Sequence, residues 1–145
     1  MGDLTKNFSR WEFACPCGCG FAAISMDLIN NVLEPTREKF GPVRITSACR
    51  CHQHNRTVGG VSRSLHLLGK AADIQVTRLG RLNWTAEDPY PNKTTVPPLE
   101  VGLYINDILW CGIANEKRRY GGIIVYKTFT HVDTREQAFR RGLKP

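Results

Sequence analysis

No stretch of the chain approaches the roughly 18 or more consecutive apolar residues that a membrane-spanning helix needs, so membrane insertion is not expected. The first residues, Met1-Gly2-Asp3-Leu4-Thr5-Lys6-Asn7, lack the basic-then-apolar layout of a secretory leader. The expectation is synthesis in the cytoplasm and action elsewhere only after release or lysis. No internal repeat is present and no composition shift marks a boundary, so residues 1–145 are read as one domain acting as a monomer. The cysteines form no C-x2-C pairs, and basic and aromatic residues do not interleave. Both absences argue against a zinc-stabilised nucleic-acid binder.

What is present is an ordinary globular composition with a basic excess. Lys and Arg total 20 against 13 Asp and Glu, a net charge of +7. Such a surface attracts polyanions, and both nucleic acid and anionic bacterial cell wall qualify. Apart from Lys117-Arg118-Arg119 and Arg140-Arg141 the basic residues are dispersed, so a solvated surface is the plain alternative. Five of six cysteines fall into two tight groups, Cys15-Pro16-Cys17-Gly18-Cys19 and Cys49-Arg50-Cys51, with Cys111 apart. A C-x-C spacing is tighter than the usual structural zinc pair. Free thiols under a loop, disulfides and a second, structural metal all remain open.

Ser9 with Glu12 three residues later predicts a short capped helix. Ser25 opens another, whose apolar face is Leu28, Val32, Leu33 and Phe40; Pro35 bends it and Gly41-Pro42 ends it. Val43–Ser47 alternates as a strand, Cys49 to Gly69 reads as a long loop, and Lys70–Val76 as a core strand. Arg78 to Pro98, with four prolines, suggests a segment covering the substrate. Leu99 to Ala114 predicts a helix with Leu103, Ile108 and Leu109 inward. Ile123–Tyr126 and Phe129–Asp133 predict a closing hairpin, and Glu136 to Pro145 a short basic end. The fold class is therefore α+β: a small antiparallel sheet with helices packed on one side.

The chemistry concentrates in Ser64-Leu65-His66-Leu67-Leu68-Gly69-Lys70-Ala71-Ala72-Asp73. If His66 ends the loop and Asp73 lies on the strand, imidazole and carboxylate converge across the turn at Gly69. Both donors suit Zn²⁺. His131 on the last strand offers a third ligand. Two His and one Asp leave a fourth position open, the pattern of a catalytic zinc site.

This stretch resembles the M15 metallopeptidases, the D-Ala-D-Ala carboxypeptidase family related to lysostaphin and the hedgehog domain. Its S-x-H-x-x-G-x-A-x-D motif coincides with Ser64, His66, Gly69, Ala71 and Asp73 without a gap. Ser47-Ala48-Cys49-Arg50, His54-Asn55 with Val58-Gly59-Gly60, and Phe129-Thr130-His131-Val132-Asp133-Thr134-Arg135 are similar to the family's flanking segments. The start of the chain is similar to small phage-encoded members. The resemblance implies zinc held by His66, Asp73 and His131, a substrate carboxylate or carbonyl held by Arg50, and a substrate hydrogen bond from Ser64, which otherwise serves only as a turn-former. It implies hydrolysis of peptidoglycan peptides, as in a phage endolysin, with a non-catalytic zinc-binding or virion-associated module on the same fold as the alternative. Better-known members carry an acid three positions before the last His, where this chain has Thr128. Asp133, two residues along the strand from His131, is then either the catalytic base or a group orienting a ligand.

Overall fold

A computed structural model describes residues 2–77, 95–113 and 116–144. The N-terminal segment makes a 3-10 turn, Arg10–Phe13, closed by Glu12 accepting the Ser9 backbone N–H at 2.7 Å. Ser25 Oγ accepts the Leu28 N–H and starts a continuous helical run: α1 (Met26–Leu28), a π-helical turn (Ile29–Leu33) and α2 (Glu34–Phe40). The wide turn ends two residues before Pro35, which has no N–H to give the carbonyl one turn back. The proline is thus absorbed by a change of helical pitch. Gly41, at φ 104, ends the run. The predicted face is the buried one, with Leu28, Val32, Leu33 and Phe40 all in the core.

Five strands form the main sheet in the order β1-β2-β6-β5-β7: β1 (Val43–Ser47), β2 (Ala71–Val76), β5 (Gly122–Val125), β6 (Thr130–Asp133) and β7 (Phe139–Arg141). The helix α4 (Pro98–Ile108) packs on β2, β5 and β6 and against the first helical run. Successive side chains of a strand point to opposite faces. Ala72, Ile74, Val76, Ile123 and Val132 therefore join Leu28, Leu33 and Ile105 in one core. The alternate residues, Asp73 and His131 among them, face the other way. Burying each Ile or Leu of this core contributes about 1.5–3 kcal/mol, so the helix-bearing face holds the fold and frees the opposite face for polar residues.

Four expectations need correction. The stretch Cys49 to Gly69 is not one long loop: it holds α3 (His52–Thr57) and a 3-10 turn, Leu65–Leu68. Only Asn55 of α3 is buried, so no apolar period announces this helix. The helix predicted over Leu99 to Ala114 ends at Ile108, and the chain turns into a two-stranded ribbon, β3 (Trp110–Ile113) with β4 (Glu116–Arg119). Its buried residues are Val101, Gly102 and Ile105, with Leu109 just beyond, whereas Leu103 faces solvent. The basic end contributes β7, which pairs parallel with β5 in an otherwise antiparallel sheet. Arg140 there is no solvated cation: its guanidinium donates to Asn106 Oδ1 and to the carbonyls of Gly121 and Tyr120. The suggested covering segment, Arg78 to Pro98, lies outside the described residues up to position 94.

Candidate active site

The ten-residue motif folds as a cap, a turn and a strand. Ser64 Oγ accepts the His66 N–H at 3.3 Å and starts the 3-10 turn. Gly69 ends it in the left-handed region at φ 67, and a Cβ there would collide with the Ala23 backbone. Only glycine meets both demands. Ala71 and Ala72 are fully buried at the start of β2, and Asp73 follows.

His66 is 4% exposed, and its Nδ1 lies 2.5 Å from the Ala48 carbonyl. A carbonyl only accepts, so Nδ1 carries the proton and Nε2 presents its lone pair. That Nε2 is 3.4 Å from Asp73 Oδ1. Asp73 and His131 are directly opposite each other in the β2–β6 ladder. His131 Nδ1 is 2.9 Å from the same Oδ1, while its Nε2 lies 3.0 Å from Asp133 Oδ2.

Asp133 is fully buried and takes both arms of Arg135: Nη2 at 2.6 Å on Oδ2 and Nε at 2.8 Å on Oδ1, with the Arg135 backbone N–H at 3.1 Å. Gly122 makes room for this carboxylate. It pairs opposite Asp133 across β5–β6, and a Cβ there would overlap the carboxylate oxygens. Burial works against ionising Asp133, but hydrogen bonds from His131 and Arg135 outweigh it and hold its carboxyl well below the usual range. Burial likewise opposes charge on Asp73, yet the bonds to His131 and His66 bring its pKa down to about 2. His131 is pushed up, because its bonds to Asp133 and Asp73 exceed the opposing effect of burial.

These positions test whether the residues fit a metal. With Nδ1–H of His66 on Ala48 and Nε2–H of His131 on Asp133, the remaining nitrogen lone pairs both face the Asp73 carboxylate. In that neutral state three acceptors converge, all within 4.8 Å of one another, and a cation between them relieves the repulsion. Ligand arms of about 2.0–2.2 Å in a tetrahedron put donor atoms about 3.4 Å apart, close to the His66–Asp73 separation. The donor set fits a divalent metal, and both imidazoles already have the outer hydrogen bonds that metal-binding histidines use.

The three residues lie in a cleft of about 740 Å³. Arg50, Arg63, Arg135 and Arg141 line it, as do Ser64, Val61, Ile124, Tyr126 and Phe129. Arg50 donates from Nε to Ser47 Oγ at 3.3 Å, and its Nη2 is 3.5 Å from Asp73 Oδ2. Tyr126 and Phe129 stack at 4.4 Å across the β5–β6 turn.

The chain matches the family model Peptidase M15 over residues 6–96. It belongs to the M15 peptidase family. Peptidases of this family are metal-dependent, and the convergent His66, Asp73 and His131 can hold the ion. The matched region contains His66 and Asp73 and stops before His131, which the ladder register supplies. No curated protein and no solved structure matches the chain. Every predicted site residue reaches this cleft or its wall: Arg50, Ser64, His66, Asp73 and His131 line it, with Asp133 behind His131. Arg135, Arg63 and the Ala48 carbonyl had no assigned part in the sequence. For Arg135 the only local signal is its place two residues after Asp133, just beyond the end of β6. The other two depend on how the loops close and carry no local signal.

Proposed function

We propose that this M15 member is a zinc peptidase that hydrolyses peptide bonds in the stem or cross-link peptides of bacterial peptidoglycan. The observation that carries the reading is three convergent acceptors in a cleft walled by four arginines. Nitrogen and carboxylate donors with an open position suit Zn²⁺. Stem peptides carry free carboxylates, which such a cleft attracts. When bound, zinc lowers the pKa of a water and polarises the scissile carbonyl.

The protein's own groups orient and bind. Ala48 fixes the His66 tautomer, and Asp133 fixes that of His131. With both oxygens engaged and no exposure, Asp133 is better suited to positioning His131 than to taking a proton from solvent-borne water. Arg50, tethered to Ser47, offers a planar fork for a substrate carboxylate or carbonyl. Ser64 spends its oxygen on the His66 N–H and keeps its hydroxyl proton for substrate. Asp73 is the sole carboxylate among the described cleft residues. Glu100 does not line the cleft, and Glu87 and Asp88 lie outside the described residues.

The test is release of new amino groups from purified peptidoglycan by the intact chain. Release that a chelator abolishes, zinc restores and H66A lacks supports the reading. A free terminal residue as product identifies a carboxypeptidase, and separated cross-linked stems an endopeptidase. No release at saturating zinc, while zinc still binds, favours the non-catalytic module that an absent acid at Thr128 suggests. The same chain added to intact cells and to membrane-disrupted cells tests an endolysin-like route, in which the wall is reached only after lysis.

A further inference from the structure

The two cysteine groups, separate in sequence, meet in space. Cys15, Cys17, Cys19 and Cys51 bring four Sγ atoms within 4.8 Å of one another, and none of the four lines the cleft. Cys49 stays out: its buried sulfur accepts the Ala23 N–H.

The tight C-x-C spacing is made workable by the loop. Cys15 N–H bonds to the Phe21 carbonyl, Gly18 N–H returns to the Cys15 carbonyl, and Gly18 and Gly20 turn at φ 82 and 80. The loop thereby curls three sulfurs to one side, where Cys51 completes the set. Cys15 and Cys17 sulfurs are 3.3 Å apart, and those of Cys17 and Cys51 3.8 Å. Metal–sulfur arms of about 2.3 Å in a tetrahedron require sulfurs about 3.8 Å apart. A disulfide needs about 2.05 Å. Backbone donors are also aimed at the sulfurs: Cys51 N–H at Cys15, His54 N–H at Cys51 and Phe21 N–H at Cys19, at 3.3–3.4 Å. N–H donors stabilise thiolate over thiol, as the outer contacts of a metal–thiolate centre do.

We propose that Cys15, Cys17, Cys19 and Cys51 form a second, structural Zn²⁺ site, a closed tetrathiolate that clamps the N-terminal loop onto the segment bearing Arg50. Four thiolates in a tetrahedron select zinc or iron, and zinc needs no redox partner. Each thiol gives up a proton to solvent as the metal binds, and nothing is oxidised. The centre bonds to Cys51, next to Arg50, while Phe13 holds the same segment through the Cys49 N–H. It thus sets the wall of the cleft from behind without touching substrate.

Elemental analysis of the full chain should find about two zinc ions per molecule, and about one in either H66A or the C17S/C19S variant. The Co²⁺-substituted chain should show a sulfur-to-cobalt charge-transfer band that H66A keeps and C17S/C19S loses. The band in the unmutated chain decides the matter even if the cysteine variant fails to fold. Absence of the band, a single zinc that disappears with H66A, iron in place of zinc, or fewer than six free thiols in the denatured chain would each overturn the proposal.

Discussion

Replacing Asp133 by Asn separates two roles that one carboxylate could play. The native group accepts four hydrogen bonds: one from His131 Nε2, two from the Arg135 guanidinium and one from the Arg135 backbone. Asn keeps the shape but has one oxygen, and its NH2 must face donors wherever it points. A hydrogen bond to a charged group contributes about 1.5–3 kcal/mol. Two such bonds are weakened, but Arg135 has a side chain 33% exposed, so its freed charge returns partly to water. The expected loss of unfolding free energy in the metal-free chain is about 2–4 kcal/mol, read from urea denaturation. His131 also loses its fixed tautomer, so zinc affinity should fall by about 10–100-fold, read by chelator competition. At saturating zinc the rate should stay within about tenfold of the parent, because loss of a true general base costs about 10²–10⁴-fold. A rate loss beyond about 100-fold at saturating zinc, with unchanged affinity, would refute the positioning role and make Asp133 the base.

Two further substitutions probe the surrounding geometry. Arg50→Lys should lower turnover on peptidoglycan fragments while leaving the unfolding midpoint nearly unchanged, since Lys keeps the charge and loses the planar fork; full activity would remove Arg50 from substrate binding. Gly122→Ala places a methyl where the Asp133 carboxylate sits, so it should destabilise the chain by about 1–3 kcal/mol and weaken zinc binding together with it; a variant with native stability and affinity would show that the carboxylate needs no such space.

Much of the candidate metal site was legible in the residues because its parts are local. The spacing from Ser64 to Asp73 encodes cap, turn and strand in ten positions, and Gly69 is demanded by both its backbone angle and the nearby Ala23. The helix beginning at Ser25, the strands at Val43 and Ala71 and the last hairpin also announce themselves, since each has its own period and its own cap or break. The α3 helix does not, because a helix lying on the surface with one buried Asn has no apolar stripe. Nor does β7, whose exposed, basic residues become a strand only when β5 offers it an edge. The sequence likewise left Asp133 with two roles and the cysteines with three fates. Only the ladder register, which sets His131 against Asp73, and the Arg135 fork turn Asp133 inward. Only the approach of the Cys15 loop to Cys51 makes one cluster of two groups 34 residues apart. Contacts between distant segments depend on how the whole core closes, and no local pattern of side chains carries that information.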